Sequence, residues 1–391
     1  MSHNDDGLAH DFLVPAGADG LMPLERLNLC KEHGGDVFAW ARRMGLNPTE
    51  IIDFSASVNP LGPPPGARKA FVESYGEITR YPDVEVHELR EALARRHGLK
   101  PEEVFLGNGS TQLIYLLCRA LRPQRGLVVF PAFSEYANAL KLVGAKIRSY
   151  FLSAEDGFTL SLEELMRAWE QGADMVFLSN PNSATGELIP RGEIREVARL
   201  ALRKRRFLVV DEAFMDFVEN ESIQDLVQGN PYLIVLRSLT KYYSIPGLRA
   251  GYLLTHGRIA ALLAAHQEPW SVNGPAQKVA LACLADATFS SKTAHWLQRE
   301  APFLIKGLAQ VNGLRPHRSR VNFVLVGLDR VGTTATELRS HLLQKRILIR
   351  PCDSFSGLGS NYFRVAVRLR KDNVRLLNGL EDVMNPSRSG D

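Results

Sequence analysis

From about residue 85 the chain alternates short apolar runs with stretches in which apolar residues recur every third or fourth position. The runs Leu127–Phe130, Met175–Leu178, Phe207–Val210, Leu233–Leu236 and Gly251–Leu254 lack the polar alternation of a half-exposed strand. They predict strands covered on both faces. Between them Ser110–Leu121, Phe133–Val143, Leu162–Gln171 and Glu193–Arg203 predict helices; in the first, Leu113, Leu116, Leu117, Ala120 and Leu121 fall on one face. Strands that alternate with helices predict an α/β domain with a mainly parallel sheet. After the helical stretch Gly274–Val311 the rhythm changes. A strand (Asn322–Val326), a helix (Thr334–Lys345), two short strands (Ile347–Ile349 and Phe363–Val367) and a last helix predict a smaller α+β unit. The proline- and glycine-dense Asn59–Gly66 predicts an irregular connection. We expect a large domain over residues 71–300, a small domain formed by 25–70 together with 301–386, and tails at 1–24 and 387–391.

Charge and cysteine usage narrow the function classes. Across 391 residues, 47 Lys and Arg are mixed with 43 Asp and Glu, which leaves no basic footprint for nucleic acid. No apolar run approaches the roughly 18 residues of a membrane span, and the N-terminal text has no basic region ahead of an apolar one. Cys30, Cys118, Cys283 and Cys352 stand far apart, a spacing that suits neither a zinc site nor a disulfide framework. Free thiols in a reducing cytosol fit, so the expectation is a soluble, cytoplasmic enzyme. The pairs Arg42-Arg43 and Arg95-Arg96 and the run Arg203–Arg206 are expected on solvated helix faces.

Four segments carry chemistry at predicted strand ends, where open α/β sheets bind ligands. In Leu106–Gln112 (LGNGSTQ), a glycine-flanked loop opens onto a helix with Ser110 and Thr111 in its first turn. Such a helix start offers free N–H groups to a phosphate, although a serine cap does the same in any helix. Leu178–Leu188 (LSNPNSATGEL) puts Asn180 and Asn182 directly after an apolar strand, as any strand-to-helix loop can. In Val209–Phe217 (VVDEAFMDF), Asp211 and Glu212 end a buried strand; a carboxylate there needs a cation, a metal or a core arginine. Arg237–Tyr252 (RSLTKYYSIPGLRAGY) brings Ser238, Lys241 and Arg249 together in apolar surroundings, where a lysine can lose its proton and attack a carbonyl. Together the four fit one cofactor, a phosphorylated aromatic aldehyde.

The block S-x-x-K followed by P-G-L-R-x-G-Y, with D-E-A and N-x-x-T-G upstream, resembles the fold-type-I pyridoxal-phosphate enzymes of the aminotransferase class I/II superfamily over roughly residues 33–384. The resemblance implies a seven-stranded, mainly parallel sheet in the large domain and pyridoxal 5'-phosphate as cofactor. It implies that Lys241 holds the aldehyde, Asp211 pairs with the pyridinium nitrogen, Asn182 bonds the phenolic oxygen and Phe133 stacks on the ring. Gly109, Ser110, Thr111, Ser238 and Arg249 would hold the phosphate. Tyr81, in TRYPD, would reach the phosphate of a neighbouring subunit, which implies a homodimer. Relatives often read D-E-A-Y; Phe214 stands at that place here and cannot supply the tyrosine's hydrogen bond.

Local strings point to one branch. HGGD (33–36), DFSASVNPLG (53–62), WSVNGPAQ (270–277), IRPCDSFSGL (349–358) and YFRVAVR (362–368) look like the threonine-phosphate decarboxylases of the cobalamin pathway. That branch implies decarboxylation of L-threonine O-3-phosphate to (R)-1-amino-2-propanol O-phosphate, with O-phospho-L-serine accepted as well. It puts Arg364 on the substrate carboxylate, with His33, Gly34, Ser57, Asn182 and Arg350 beside the substrate. Ser57 stands where the branch usually has Asn. Two alternatives stay open at this point: a histidinol-phosphate aminotransferase, and a non-catalytic binding protein of the same fold.

Overall fold

The computed structural model describes residues 34–329 and 332–385, with the backbone of two short paired strands, Leu13–Pro15 and Leu21–Pro23. His33, Cys30, most of the expected N-terminal tail and all of the expected C-terminal one lie outside the described residues.

The large sheet comprises β1 (Val104–Asn108), β2 (Arg125–Phe130), β3 (Lys146–Phe151), β4 (Met175–Ser179), β5 (Phe207–Asp211), β6 (Leu233–Ser238) and β7 (Ala250–Thr255). Their spatial order is β1-β7-β6-β5-β4-β2-β3. β7 runs antiparallel to both its neighbours and every other pairing is parallel. All strands except β7 therefore end at one edge. Successive residues of the apolar runs enter opposite cores, as pleating requires. Leu127, Val129, Val176, Leu178, Leu208 and Val210 pack on one side, and Val128, Phe130, Met175, Phe177 and Val209 on the other.

The five strands read from the sequence are present, and so are the four helices, as Gly109–Leu121, Glu135–Leu142, Leu162–Glu170 and Arg191–Lys204. The expected helical stretch 274–311 is two helices, Gly274–Leu284 and Phe289–Gln310. The longer one leaves the first core at Phe289 and enters a separate core through Trp296, Leu304 and Leu308. That core lies against β8 (Leu314–Pro316), β9 (Phe323–Leu328), β10 (Arg350–Pro351) and β11 (Tyr362–Ala366), an antiparallel sheet ordered β8-β9-β11-β10.

Several local expectations need correction. Ile347–Leu348 does not join this sheet; it pairs in parallel with Ile52–Asp53, which ties the two chain ends of the unit together. The segment 59–66 is irregular only as far as Pro64, because Pro65 starts a helix to Ser74, where a proline loses nothing in the first turn. Arg96 is not merely solvated, since its guanidinium lies 3.5 Å from the buried carboxylate of Asp216. The helix read through Arg203 ends at Lys204, with Arg205 in a left-handed cap and Arg206 donating to the Trp169 carbonyl.

Candidate active site

The carboxyl edge of the large sheet gathers most of the residues singled out from sequence. Asp211 ends β5, Ser238 ends β6, and Ser179, ending β4, sits in register beside Asp211. Asp211 is buried at 4% exposure, yet its oxygens are occupied: Oδ1 accepts from Ala213 N–H at 2.9 Å and Oδ2 from the Tyr136 hydroxyl at 2.5 Å. Burial pushes its pKa up, opposed by the Tyr136 hydrogen bond and the Lys241 charge.

Lys241 lies in a short helix that starts directly after β6, so its amine turns back over the strand end and donates to Ser238 Oγ at 3.2 Å. Ser238 Oγ is also bonded to Thr240 Oγ1 at 2.8 Å. The Lys241 amine lies 5.9 Å from the centre of the Phe214 ring. Burial lowers its pKa to about 8; Arg249 and Arg364 push the same way and Asp211 opposes them. The lysine is thus far closer to its neutral, nucleophilic form at pH 7 than an exposed one. Its backbone is fixed as well. The fully buried Asn59 donates its N–H to the Lys241 carbonyl at 3.0 Å, and its amide to the Tyr242 carbonyl and to Thr293 Oγ1.

The anion cradle at the helix start is built by two glycines. A Cβ on Gly251 of β7 would run into the Ser110 nitrogen, so the strand lies directly against the loop. A Cβ on Gly109 (φ +79°) would sit 2.5 Å from Arg249 Nη2. Helix Gly109–Leu121 has no side-chain cap, which leaves its first amides to whatever anion arrives. Arg249 holds a left-handed backbone (φ +59°), uncommon for a side chain of this size; its guanidinium donates to the Pro246 carbonyl and pairs with no carboxylate among the described residues. A strained arginine aimed at uncapped helix amides fits a phosphate, and a buried carboxylate two strands away fits a protonated ring nitrogen. The donor set therefore suits the cofactor that the sequence implied.

Asn182 is held tightly: Oδ1 accepts from Ala184 and Thr185 N–H, and Nδ2 donates to the Pro131 carbonyl at 3.0 Å, which leaves one amide hydrogen free. Phe133 meets the ring of Tyr136 edge-on at 5.9 Å. Sequence reading missed Tyr136, although it lies three residues beyond Phe133 in the same PAFSEY segment.

A second cluster faces this edge from the antiparallel sheet. Arg350 of β10 and Arg364 of β11 are direct cross-strand partners, both within reach of the Phe355 ring. Like charges placed opposite one another cost stability unless an anion lies between them. Arg364 donates to the Ser183 carbonyl in the Asn182 loop and lies 4.4 Å above Phe323. It makes no ion pair among the described residues, and burial lowers its pKa to about 10. Arg350 donates to Ser354 Oγ at 2.7 Å. A Cβ on Gly34 would meet the Ser55 carbonyl and the Arg350 side chain, so Gly34 closes this corner. Ser57 is buried with its hydroxyl unpartnered.

Tyr81 lies outside the cluster of contacts described around Lys241. It is 80% exposed and stacks on Trp270 at 4.4 Å, beside a cavity of about 650 Å³.

Comparisons with known proteins agree with this geometry. A threonine-phosphate decarboxylase from Salmonella typhimurium is 37% identical over 354 residues, 90% of this chain and 96% of that one. A histidinol-phosphate aminotransferase from Methanothermobacter thermautotrophicus is 31% identical over 90% of this chain and 94% of its own. The crystal structure of L-threonine-O-3-phosphate decarboxylase from Porphyromonas gingivalis superposes with a TM-score of 0.76 at 28% identity, over 84% of this chain and 98% of that one. Residues 49–379 match aminotransferase class I and II; with the seven-stranded sheet and a lysine at its carboxyl edge, the chain belongs to that family and has its fold-type-I architecture.

Proposed function

We propose that this protein decarboxylates L-threonine O-3-phosphate to (R)-1-amino-2-propanol O-phosphate and CO₂, and accepts O-phospho-L-serine measurably. That it is a pyridoxal-phosphate-dependent enzyme follows from its family. The observation that carries the finer reading is the facing pair Arg350 and Arg364, two cations on adjacent strands beside the lysine cluster. A substrate with both a carboxylate and a phosphate suits two guanidinium groups, each a planar fork for oxyanions. The resemblance to a threonine-phosphate decarboxylase over nine-tenths of the chain supports the same substrate.

In this reading Lys241 holds the cofactor aldehyde and Asp211 keeps the ring nitrogen protonated. Asn182 bonds the phenolic oxygen and Phe133 covers the ring. Arg249, Ser238 and the amides of Gly109, Ser110 and Thr111 take the phosphate. Bound there, the cofactor supplies an electron sink for the pair left when a bond at the substrate α-carbon breaks. Arg364 takes the substrate carboxylate, and Arg350, Gly34, Ser57 and His33 line the rest of the substrate. The two arginines would fix the orientation of the substrate carboxylate, and with it whether CO₂ or the α-proton is released; the Lys241 amine would be the group placed to return a proton to the carbon. The reaction takes up one proton for each CO₂ released. The test is incubation with threonine phosphate and no keto acid, with CO₂ and the phosphorylated amine followed together. Product formation supports the reading; activity confined to histidinol phosphate plus 2-oxoglutarate would establish transamination, the reading that the 31% identical relative favours.

We infer further that the protein works as a homodimer in which Tyr81 reaches the partner's cofactor phosphate. Phe71, Val72, Tyr75 and Ile78 are exposed apolar residues at 52–75%, on the elements just before Tyr81. A run of that kind calls for a covering surface. Sedimentation should give a dimer, and Tyr81→Phe should weaken cofactor binding about tenfold or more, the worth of one hydrogen bond to a charged group, without dissociating the dimer. A fully active monomer would contradict this assembly.

A further inference from the structure

Tyr136 is completely buried, and nothing in the proposed chemistry uses it. It lies in the first turns of helix Glu135–Leu142, its ring stacked parallel to Phe177 of β4 at 5.1 Å and 8°, with Phe133 at its edge. These contacts leave the phenol little freedom, and they aim its hydroxyl at Asp211 Oδ2, 2.5 Å away. The other carboxylate oxygen is fixed by Ala213 N–H. A buried carboxylate with one backbone donor and a lysine as its charged neighbour has a strong incentive to take up a proton. A second donor that cannot turn away favours the ionised form and sets the plane of the group. The hydroxyls of Ser179, at the end of β4, and of Ser183, whose carbonyl holds Arg364, lie near the phenol. Tyr136 is thereby packed between the carboxylate and the loop whose Ser183 carbonyl accepts from Arg364.

We propose that Tyr136 is a positioning residue for Asp211, holding its carboxylate ionised and oriented toward the cofactor ring nitrogen. The proposal rests on the reading that Asp211 faces that nitrogen. Tyr136→Phe keeps the ring and its stacking and removes only the hydroxyl, so the fold is retained. A hydrogen bond to a buried charge corresponds to roughly a 10- to 100-fold change in an equilibrium constant. The variant should bind pyridoxal phosphate about that much more weakly in an absorbance titration of the apoprotein. The visible band of the bound cofactor should titrate at a different pH, and kcat should fall while KM for threonine phosphate stays within about twofold. In an Asp211→Asn background the same substitution should add almost nothing to the loss of cofactor affinity. Unchanged affinity and titration in Tyr136→Phe would overturn the proposal. So would an equal loss in both backgrounds, because the hydroxyl would then act on packing instead of on Asp211. If Asp211→Asn alone leaves cofactor binding and its spectrum untouched, the underlying reading of Asp211 fails and takes this proposal with it.

Discussion

Lys241→Ala is expected to fold, to bind pyridoxal phosphate only reversibly, and to lose turnover by about 10²–10⁴-fold or more. Two roles disappear with one side chain. In the proposed function the amine at the end of β6 attacks the cofactor aldehyde, and the same nitrogen returns a proton to the substrate carbon. Borohydride treatment should fix the cofactor to wild-type protein at Lys241 and to no residue of the variant. Recovery of the reduced adduct on another lysine would overturn the assignment. The burial that brings the Lys241 pKa to about 8 gives a second signature. The neutral amine is the nucleophile and exists above the pKa, so cofactor attachment to apoprotein should accelerate as pH rises and level off near 8. An exposed lysine would level off only near its usual 10.4.

Arg237→Met should be among the most destabilising single substitutions. Arg237 is fully buried in β6, 3.1 Å from Glu212, 3.4 Å from Asp216 and 2.5 Å from Glu219, while Arg96 approaches Asp216 from the other side. Three carboxylates share two guanidinium groups, and burial pushes Glu212 up to about 7 even with Arg237 beside it. Removing one partner of a buried ion pair strands the other and costs about 3–5 kcal/mol, a large part of a typical 5–15 kcal/mol stability. The cost should depend on pH with a definite sign. The unfolded chain loses its carboxyl protons near pH 4.5, whereas the folded variant, without its cation, keeps them to higher pH. Stability therefore falls as pH rises through that window, and the variant should lose more at pH 8 than at pH 5. Thermal melts of wild type and variant at both pH values provide the check; melting temperatures within a degree of each other would contradict it. The cluster also matters to the site, because Glu212 follows Asp211 and Arg237 precedes Ser238. Glu212 N–H donates to the Leu236 carbonyl at 2.8 Å, so the ions clamp the strand ends that carry the chemistry.

Strands buried on both faces announce themselves as unbroken apolar runs, and β2, β4, β5, β6 and β7 were legible for that reason. β3, KIRSYF, was not legible, because at the sheet edge it carries charged residues and exposes most of its positions. β1 was hidden because its last two residues, Gly107 and Asn108, read as part of the phosphate loop that follows. The reactive residues at strand ends stood out because polar groups directly after apolar runs are costly without a purpose. Their supports did not stand out. Tyr136 occupies an apolar helical position and looks like any core aromatic; only the fold reveals that its hydroxyl meets Asp211. Asn59 sits in a proline-rich loop that reads as a mere connection, yet it anchors the Lys241 carbonyl from 182 positions away in the chain. The core arginine that a strand-end carboxylate was expected to need exists as Arg237, but its partner is Glu212, and Asp211 is held by Tyr136 and Ala213 instead.

Decarboxylation and transamination share this whole apparatus and differ in what remains when the first product leaves. The decisive measurement is the number of turnovers per site in excess threonine phosphate with no keto acid, followed through proton uptake and the absorbance of the bound cofactor. Many turnovers are expected, with one proton consumed per CO₂ and a cofactor spectrum that returns to its starting form when substrate is exhausted. At most one turnover per site, with aminated cofactor accumulating until 2-oxoglutarate restarts the reaction, would contradict decarboxylation.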